Sequence, residues 1–186
     1  MDAGIRDLFA KSGVLLGEDD WTFFERLREC VVRGNERMNL TRLTEPRDFY
    51  LKHVLDSLLP LVHVPALAKP ATRHRTADLG SGGGFPGLAV ARMRPDWTVA
   101  LIDRTQKKAA CLAETIGELG IGNASALAAD AREAPRRAPA LDRGCDVVFA
   151  RAVGRLGAVT EAAAGLLKPG GLLVHYKGGA PDGKEL

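Results

Sequence analysis

Hydrophobic residues in the first seventy positions follow the spacing of amphipathic helices. Over residues 19–35, large apolar side chains recur every three or four positions, which is the period of one helix face. Asp19 and Asp20 stand where helix-capping residues are common. A second helix is predicted from about Pro46, because proline is tolerated in a first helical turn. We expect a helical cap over residues 1–70, with Trp21, Phe24 and Trp97 in the core.

From Thr76 onward, short apolar strands alternate with helical patterns. The strands are predicted at 76–79, 97–103, 124–129, 146–150 and 172–176, and the helices at 86–94, 105–119 and 156–167. Gly120 and the segment 168–171 are expected to end the second and third of these helices. This alternation predicts a Rossmann-like α/β core over residues 71–186, with a mostly parallel sheet, forming one structural unit with the cap.

Composition narrows the class of protein. The 186 residues are 46% hydrophobic and 26% charged, which is ordinary for a globular chain. No apolar run is long enough to span a membrane, and the first residues do not form a signal peptide. Three widely spaced cysteines form neither a disulfide framework nor a metal site, so we expect buried thiols in a reducing cytoplasm and no metal. Six arginines between Arg132 and Arg155 suit either a polyanionic partner or a solvated face.

The segment 78–87, Asp-Leu-Gly-Ser-Gly-Gly-Gly-Phe-Pro-Gly, lies between a predicted strand and a helix. Glycines there let the chain turn sharply and let a ligand approach the backbone. Its GxGxxG spacing leaves a dinucleotide site open. Two features oppose a pyrophosphate: the carboxylate of Asp78 ends the strand, and Pro86 lacks an N–H donor at the helix start.

S-adenosylmethionine (SAM) suits this loop better than a dinucleotide. Its sulfonium and ammonium groups are cationic and favour a nearby carboxylate, as in the Asp-x-Gly-x-Gly-x-Gly pattern of Asp78, Gly80, Gly82 and Gly84. Asp103 ends the second strand and offers two acceptor oxygens to ribose hydroxyls. NAD uses the same device, so Asp103 alone does not separate the two cofactors.

Six segments carry a resemblance to a known family. They are Met38–Thr41 (MNLT), His53–Leu58 (HVLDSL), Asp78–Gly87, Leu101–Lys108, Phe149–Ala152 (FARA) and Tyr176–Gly178 (YKG). The chain resembles the glucose-inhibited division protein B family, bacterial methyltransferases that modify N7 of a guanine in 16S ribosomal RNA. The family's serine after the second-strand acid is Arg104 here. The family also continues with further strands where this chain stops at Leu186, so we expect the sheet to lack its usual antiparallel partner.

The resemblance implies a SAM-dependent enzyme whose product is S-adenosyl-L-homocysteine and whose partner is the small ribosomal subunit. It implies cofactor contacts at Gly80, Phe85, Ala131, Arg132 and Arg151, to which Asp103 and the loop residues Asp78, Gly82 and Gly84 are added on the arguments above. Arg151 and Lys177 are candidates beside the reacting atoms. The candidate RNA contacts are Lys107, Lys108, Arg136, Arg137 and Arg155. Guanine N7 is already a bare acceptor, so no general base is assigned.

Several alternatives stay open from the sequence. His53, Asp56 and Ser57 share one helix face and form either a contact to the loop or RNA, or a buried cluster that docks the cap. Arg151 is either a cofactor or RNA contact, or a structural ion pair with Asp130 or Asp146. Three functions stay open for the whole chain: an enzyme that acts on RNA as a cytoplasmic monomer, a small-molecule methyltransferase, or a non-catalytic ribosome-associated protein that keeps the fold. A fourth function, that of an NAD-dependent oxidoreductase, is supported only by the spacing of the glycines.

Overall fold

A computed structural model describes residues 2–41, 43–69 and 73–177. Its centre is one five-stranded sheet whose strand order is β3-β2-β1-β4-β5. The strands are β1 Arg75–Leu79, β2 Thr98–Asp103, β3 Ala124–Ala128, β4 Cys145–Arg151 and β5 Leu167–Tyr176. Every neighbouring pair is parallel. The predicted Rossmann-like α/β fold is therefore confirmed, and within the described residues the sheet is parallel throughout.

Helices pack on the sheet and also make up the part of the chain that precedes β1. The first two are α1 Ala3–Lys11 and α2 Glu18–Arg37. The third, α3, consists of an α-helical turn Pro46–Asp48, a π-helical segment Phe49–Leu55 and an α-helical segment Asp56–His63. The fourth is α4 Pro65–Ala68. The others are α5 Gly87–Met93, α6 Gln106–Leu119, α7 Ala134–Arg137 and α8 Leu156–Ala164, with a 3-10 turn at Pro139–Leu141. Gly120 caps α6 with φ of 65°, as predicted.

Two predicted boundaries are wrong. Gly17, not an aspartate, is the N-cap of α2, because Asp20 sits inside the first turn and accepts the Gly17 N–H at 3.0 Å. The segment 168–171 does not follow directly on α8, which ends at Ala164, but lies within β5. There the pairing with β4 slips from Cys145–Leu167 to Val147–Leu172, so the Pro-Gly-Gly residues form a bulge in the edge of the ladder.

The cap and one face of the sheet share a single hydrophobic cluster. Phe24 and Phe49 from the helices pack in the same cluster as Leu101 and Phe149 from the strands. Trp21, Phe24 and Trp97 are buried as predicted. The opposite face packs mainly against α8, through residues such as Ile102, Val148 and Val159. Burial on both faces explains why these strands read as continuous apolar runs in the sequence.

The three cysteines are buried free thiols. Burial raises the pKa of the Cys30, Cys111 and Cys145 thiols above their ordinary value, which makes them poor nucleophiles. Among the described residues, no helix has the length and apolar character needed to cross a membrane.

Candidate functional site

A cavity of about 510 Å³ opens at the carboxyl ends of β1, β2, β3 and β4. Its wall includes Gly80, Asp103 and Ala131, three of the predicted cofactor residues, together with Lys108. The order of the strands reverses between β1 and β4, and open α/β sheets bind ligands at such a switch point. The fold therefore places this cavity where a ligand is expected.

Two glycines give the loop after β1 its shape. Gly80 has φ of +66°, and a Cβ there would lie 2.7 Å from a methyl carbon of Val153, which closes one side of the cavity. Gly84 has φ of +92°, and a Cβ there would lie 2.4 Å from a methyl carbon of Leu88. Both positions have a left-handed backbone and closely packed neighbours, and each of these two features disfavours a side chain.

Asp78 lies beneath the loop rather than on the cavity wall. Its side chain is fully buried, and its Oδ2 accepts the Gly87 N–H at 2.9 Å. Its Oδ1 has no hydrogen-bond partner among the described residues. Burial raises the pKa of Asp78 to about 7, although the bond from Gly87 and the charge of Arg151 favour the ionised form, whereas Asp103 opposes it. This carboxyl group holds the start of α5 against β1.

The raised pKa of Asp78 has a consequence for stability. Because the folded chain keeps this proton up to about pH 7 while an unfolded aspartate loses it near pH 4, Asp78 costs stability as the pH rises through this window. Replacing it with asparagine should remove a loss on the order of 4 kcal/mol across that range. Urea denaturation at pH 4.5 and pH 7.5 measures the difference.

The matched control for this prediction is Asp96→Asn, which changes an exposed carboxylate just before β2. That variant should keep the pH dependence of the wild type. A pH dependence that is the same in Asp78→Asn and in the wild type would show that Asp78 does not titrate in this window.

Asp103 connects the ends of β1 and β2. It is 6% exposed, and its Oδ2 accepts the Gly82 N–H at 3.1 Å while its Oδ1 accepts the Thr105 N–H at 2.8 Å. A carboxylate has about four acceptor positions, so each oxygen keeps one for a ligand. Asp103 therefore fixes the glycine loop and still presents two acceptors to the cavity.

Arg151 and Phe85 lie on the cap side of the loop. Arg151 ends β4, and its guanidinium donates to Nδ1 of His53 at 2.8 Å and to the Asp56 carboxylate at 3.3 Å. The Phe85 ring stacks on the imidazole of His53, with centroids 4.7 Å apart and planes 8° apart. His53 and Phe85 are buried, so this cluster docks the cap on the glycine loop. Ser57 is fully buried and donates to the His53 carbonyl oxygen.

The ion pairs considered for Arg151 are wrong. Asp130 instead accepts the backbone N–H of Arg132 at 3.0 Å, and Asp146 accepts the backbone N–H of Arg75 and pairs with Lys168. Asp130 lies in the loop after β3 and Asp146 lies in β4, whereas the guanidinium turns toward the cap, where a histidine, a carboxylate and a carbonyl oxygen converge. The docking alternative for His53, Asp56 and Ser57 matches the geometry.

The remaining candidates spread over the surface around the cavity. Arg132 pairs with Glu161 of α8 at 2.9 Å, and Arg137 donates to the Ala128 carbonyl at 3.0 Å. Lys107, Arg136, Arg155 and Lys177 are exposed. Only Lys108 of the basic candidates lines the cavity.

Sequence reasoning assigned no site role to several residues that the structure places there, among them Arg104, Val153 and Thr41. Arg104 and Val153 line the cavity, and Thr41 contacts the imidazole of His53 at 2.8 Å. Thr41 lies in the MNLT segment, where Asn35 holds the loop by accepting the Leu40 and Thr41 N–H groups. The MNLT segment contributes to the family resemblance, but its sequence predicts no role for it at the site. In the described part of the chain, no group of three or more His, Cys, Asp or Glu residues could hold a metal.

Solved structures with low sequence identity share the fold. The CurJ carbon methyltransferase aligns with a TM-score of 0.57 at 19% identity, covering 96% of this chain and 52% of that one. A putative SAM-dependent methyltransferase from Methanococcus maripaludis aligns with a TM-score of 0.55 at 14% identity, covering 80% and 63%. At these identities the likeness concerns the fold alone.

Sequence relatives are much more similar. The ribosomal RNA small subunit methyltransferase G of Sorangium cellulosum is 44% identical, covering 94% of this chain and 71% of that protein. Its counterpart in Trichormus variabilis is 40% identical, covering 83% and 63%. The chain spans 60 to 63% of the length of several such relatives. The family model for rRNA small subunit methyltransferase G, GidB, matches residues 22–185, and the chain therefore belongs to that family.

Proposed function

We propose that this chain binds SAM and directs its methyl group to N7 of a guanine in the 16S RNA of the small ribosomal subunit. The observation that carries the proposal is the family match over residues 22–185. It is supported by a cavity at the switch point of the sheet that joins a glycine loop to a strand-end carboxylate. This reaction would take place in the cytoplasm, where ribosomal subunits are assembled.

The proposed cofactor contacts divide between the two sides of the loop. Gly80, Asp103 and Ala131 line the cavity, which suits the adenosyl part, with Asp103 accepting the ribose hydroxyls. Arg132 follows Ala131 in sequence and is exposed, paired with Glu161. Phe85 and Arg151 lie on the cap side, which suits the methionine part.

The three other loop positions support this arrangement without lining the cavity. Asp78 anchors α5 from below. Gly82 gives its N–H to Asp103, and Gly84 supplies a left-handed turn. We infer that these three residues shape the site.

Catalysis in this proposal is mainly positioning. Bound SAM would supply an electrophilic methyl group: guanine N7 would form a bond to the methyl carbon as the carbon–sulfur bond breaks, S-adenosyl-L-homocysteine would leave, and no proton has to be lost first. The chain has to hold the base in line and exclude water. Arg151 and Lys177 are our candidates beside the reacting atoms, because Arg151 ends β4 next to the loop and Lys177 follows β5.

The proposed RNA surface surrounds the cavity. Lys108 lines it, and Lys107 is exposed on the same turn of α6. Arg136, Arg137 and Arg155 are exposed on nearby segments. Such residues would neutralise phosphates and orient the RNA without reading its sequence. The target guanine has to be unpaired or flipped, because its N7 must reach a buried cofactor.

Methyl transfer to RNA tests the proposal directly. Isotope-labelled SAM is incubated with the chain and with small subunits, or naked 16S RNA, from cells lacking this modification. We expect labelled 7-methylguanosine after nuclease digestion. Lys107→Glu combined with Lys108→Glu should raise the KM for RNA about tenfold or more, since each lost phosphate contact weakens binding.

Lys11→Glu, on α1 where Lys11 pairs with Asp7 of the same helix, is the charge-reversal control and should leave that KM unchanged. SAM binding without any labelled RNA would favour a small-molecule substrate. Absence of both would overturn the proposed function. The division into cap and core at residue 70 and the monomeric state stay predictions.

A further inference from the structure

One side chain joins the sheet to the π-helical segment of α3. Arg151 donates through Nη1 to the Lys52 carbonyl oxygen at 2.9 Å and to the Asp56 carboxylate at 3.3 Å. It donates through Nη2 to Nδ1 of His53 at 2.8 Å. Because an arginine carries five N–H groups, its Nε–H and one Nη2–H have no acceptor among the described residues. Three contacts thus aim the guanidinium and leave two donors for a ligand.

The contacts of His53 define which ring nitrogen carries the proton. Arg151 can only donate, so Nδ1 must be a bare acceptor. Burial, followed by the positive charge of Arg151, lowers the pKa of His53 to about 4, so the ring is neutral near pH 7. Its proton is therefore on Nε2, which donates to Oγ1 of Thr41 at 2.8 Å. Thr41 Oγ1 also accepts the Leu43 N–H at 3.0 Å.

The faces of the imidazole are also fixed. One face stacks on the Phe85 ring at 4.7 Å. The Phe49 ring approaches both, with centroids 5.9 Å from His53 and 5.4 Å from Phe85 at nearly right angles. With both ring nitrogens bonded and one face stacked on Phe85, the imidazole of His53 has a defined orientation and contacts the glycine loop through that ring.

We propose that His53 is a positioning residue, which holds the guanidinium of Arg151 and the ring of Phe85 in the arrangement that binds SAM. This inference rests on the proposed function. His53 acts through these two neighbours, mainly through the acceptor at Nδ1 that holds Arg151 and to a smaller extent through the ring stack on Phe85.

Two substitutions separate the acceptor from the ring. His53→Phe keeps an aromatic ring against Phe85 but removes both nitrogens. His53→Asn places an amide oxygen near Nδ1 and keeps an acceptor for Arg151. Since a hydrogen bond to a charged group is worth about tenfold or more in binding, calorimetric titration should show SAM affinity about tenfold weaker in His53→Phe. In His53→Asn the affinity should return to within about threefold of the wild type.

A spectroscopic measurement reads the tautomer without any substitution. Nitrogen-15 spectra of histidine-labelled wild type at pH 7 should show His53 protonated at Nε2 and bare at Nδ1. His63→Asn is the matched control, because His63 lies on the same helix, contacts the Ser12 carbonyl oxygen at 3.0 Å and is outside the site. It should leave SAM affinity unchanged, and it identifies the resonance of His63.

Each outcome separates this inference from the proposed function. A wild type that binds SAM while His53→Phe binds it equally well overturns the inference alone. So does a folded His53→Asn that binds as weakly as His53→Phe, or a proton found on Nδ1. A folded wild type that does not bind SAM overturns the proposed function and this inference with it.

Discussion

Replacing Asp103 with alanine should abolish detectable SAM binding by a chain that still folds. The carboxylate presents one acceptor position on each oxygen to the cavity, which would take the two ribose hydroxyls. Hydrogen bonds to a charged group contribute about 1.5–3 kcal/mol each, so losing two weakens binding about a hundredfold or more. The variant also releases the Gly82 and Thr105 N–H groups, which loosens the loop.

Calorimetric titration with SAM measures this effect, and the thermal midpoint of each variant checks that it is folded. Asp103→Asn keeps one acceptor oxygen and should fall between alanine and the wild type. Asp96→Ala removes an exposed carboxylate just before the opposite end of β2 and should bind SAM normally. Undiminished affinity in a folded Asp103→Ala would remove Asp103 from the cofactor site.

Gly84→Ala should be the most destabilising single methyl group added to the glycine loop. The backbone at Gly84 has φ of +92°, and the new Cβ would lie 2.4 Å from a methyl carbon of Leu88 and 3.1 Å from one of Leu112. A left-handed backbone costs a residue with a Cβ about 1–2 kcal/mol, and overpacking a tight core adds about 1–3 kcal/mol. We expect the free energy of unfolding to fall by about 2–5 kcal/mol in urea denaturation.

Gly117→Ala is the matched substitution, with the opposite sign. Gly117 lies within α6, and apart from its chain neighbours and the adjacent helix backbone no atom of the described residues is within 4 Å of the position that its Cβ would take. Alanine in an exposed helix interior is more stable than glycine by about 0.5–1 kcal/mol, so this variant should gain stability. A Gly84→Ala chain as stable as the wild type would mean that the loop can relax around a side chain.

The parts of the site that depend on neighbouring residues could be predicted from the sequence. The strand, the glycine loop and the helix follow one another within residues 75–93, and local conformational demands dictate their residue types. Asp103 was found because an acid at the end of the next strand must lie beside that loop in a parallel sheet. The structure places Gly80 and Asp103 on one cavity wall.

The parts that depend on distant residues could not be derived in the same way. Arg151 and Asp56 are 95 positions apart, and a count of charges or spacings does not indicate which carboxylate an arginine reaches. The π-helical turns of Phe49–Leu55 also leave no mark in the apolar pattern, which reads as an ordinary helix. The bulge in β5 was missed because Pro-Gly-Gly is equally suited to ending a helix.

The hydrophobic cluster that the cap and the sheet share couples the stability of the cap to the stability of the sheet. Ile5 and Phe9 of α1 belong to the same cluster as Leu101 and Phe149, and the Phe9 ring packs against Trp21 of α2 with centroids 5.0 Å apart, so loss of the first helix would expose the aromatic core of the cap. We expect melting to be cooperative, without an intermediate that keeps the strands and loses the cap. A ligand that binds only the folded glycine loop thereby stabilises α1 by linkage as fully as it stabilises β4.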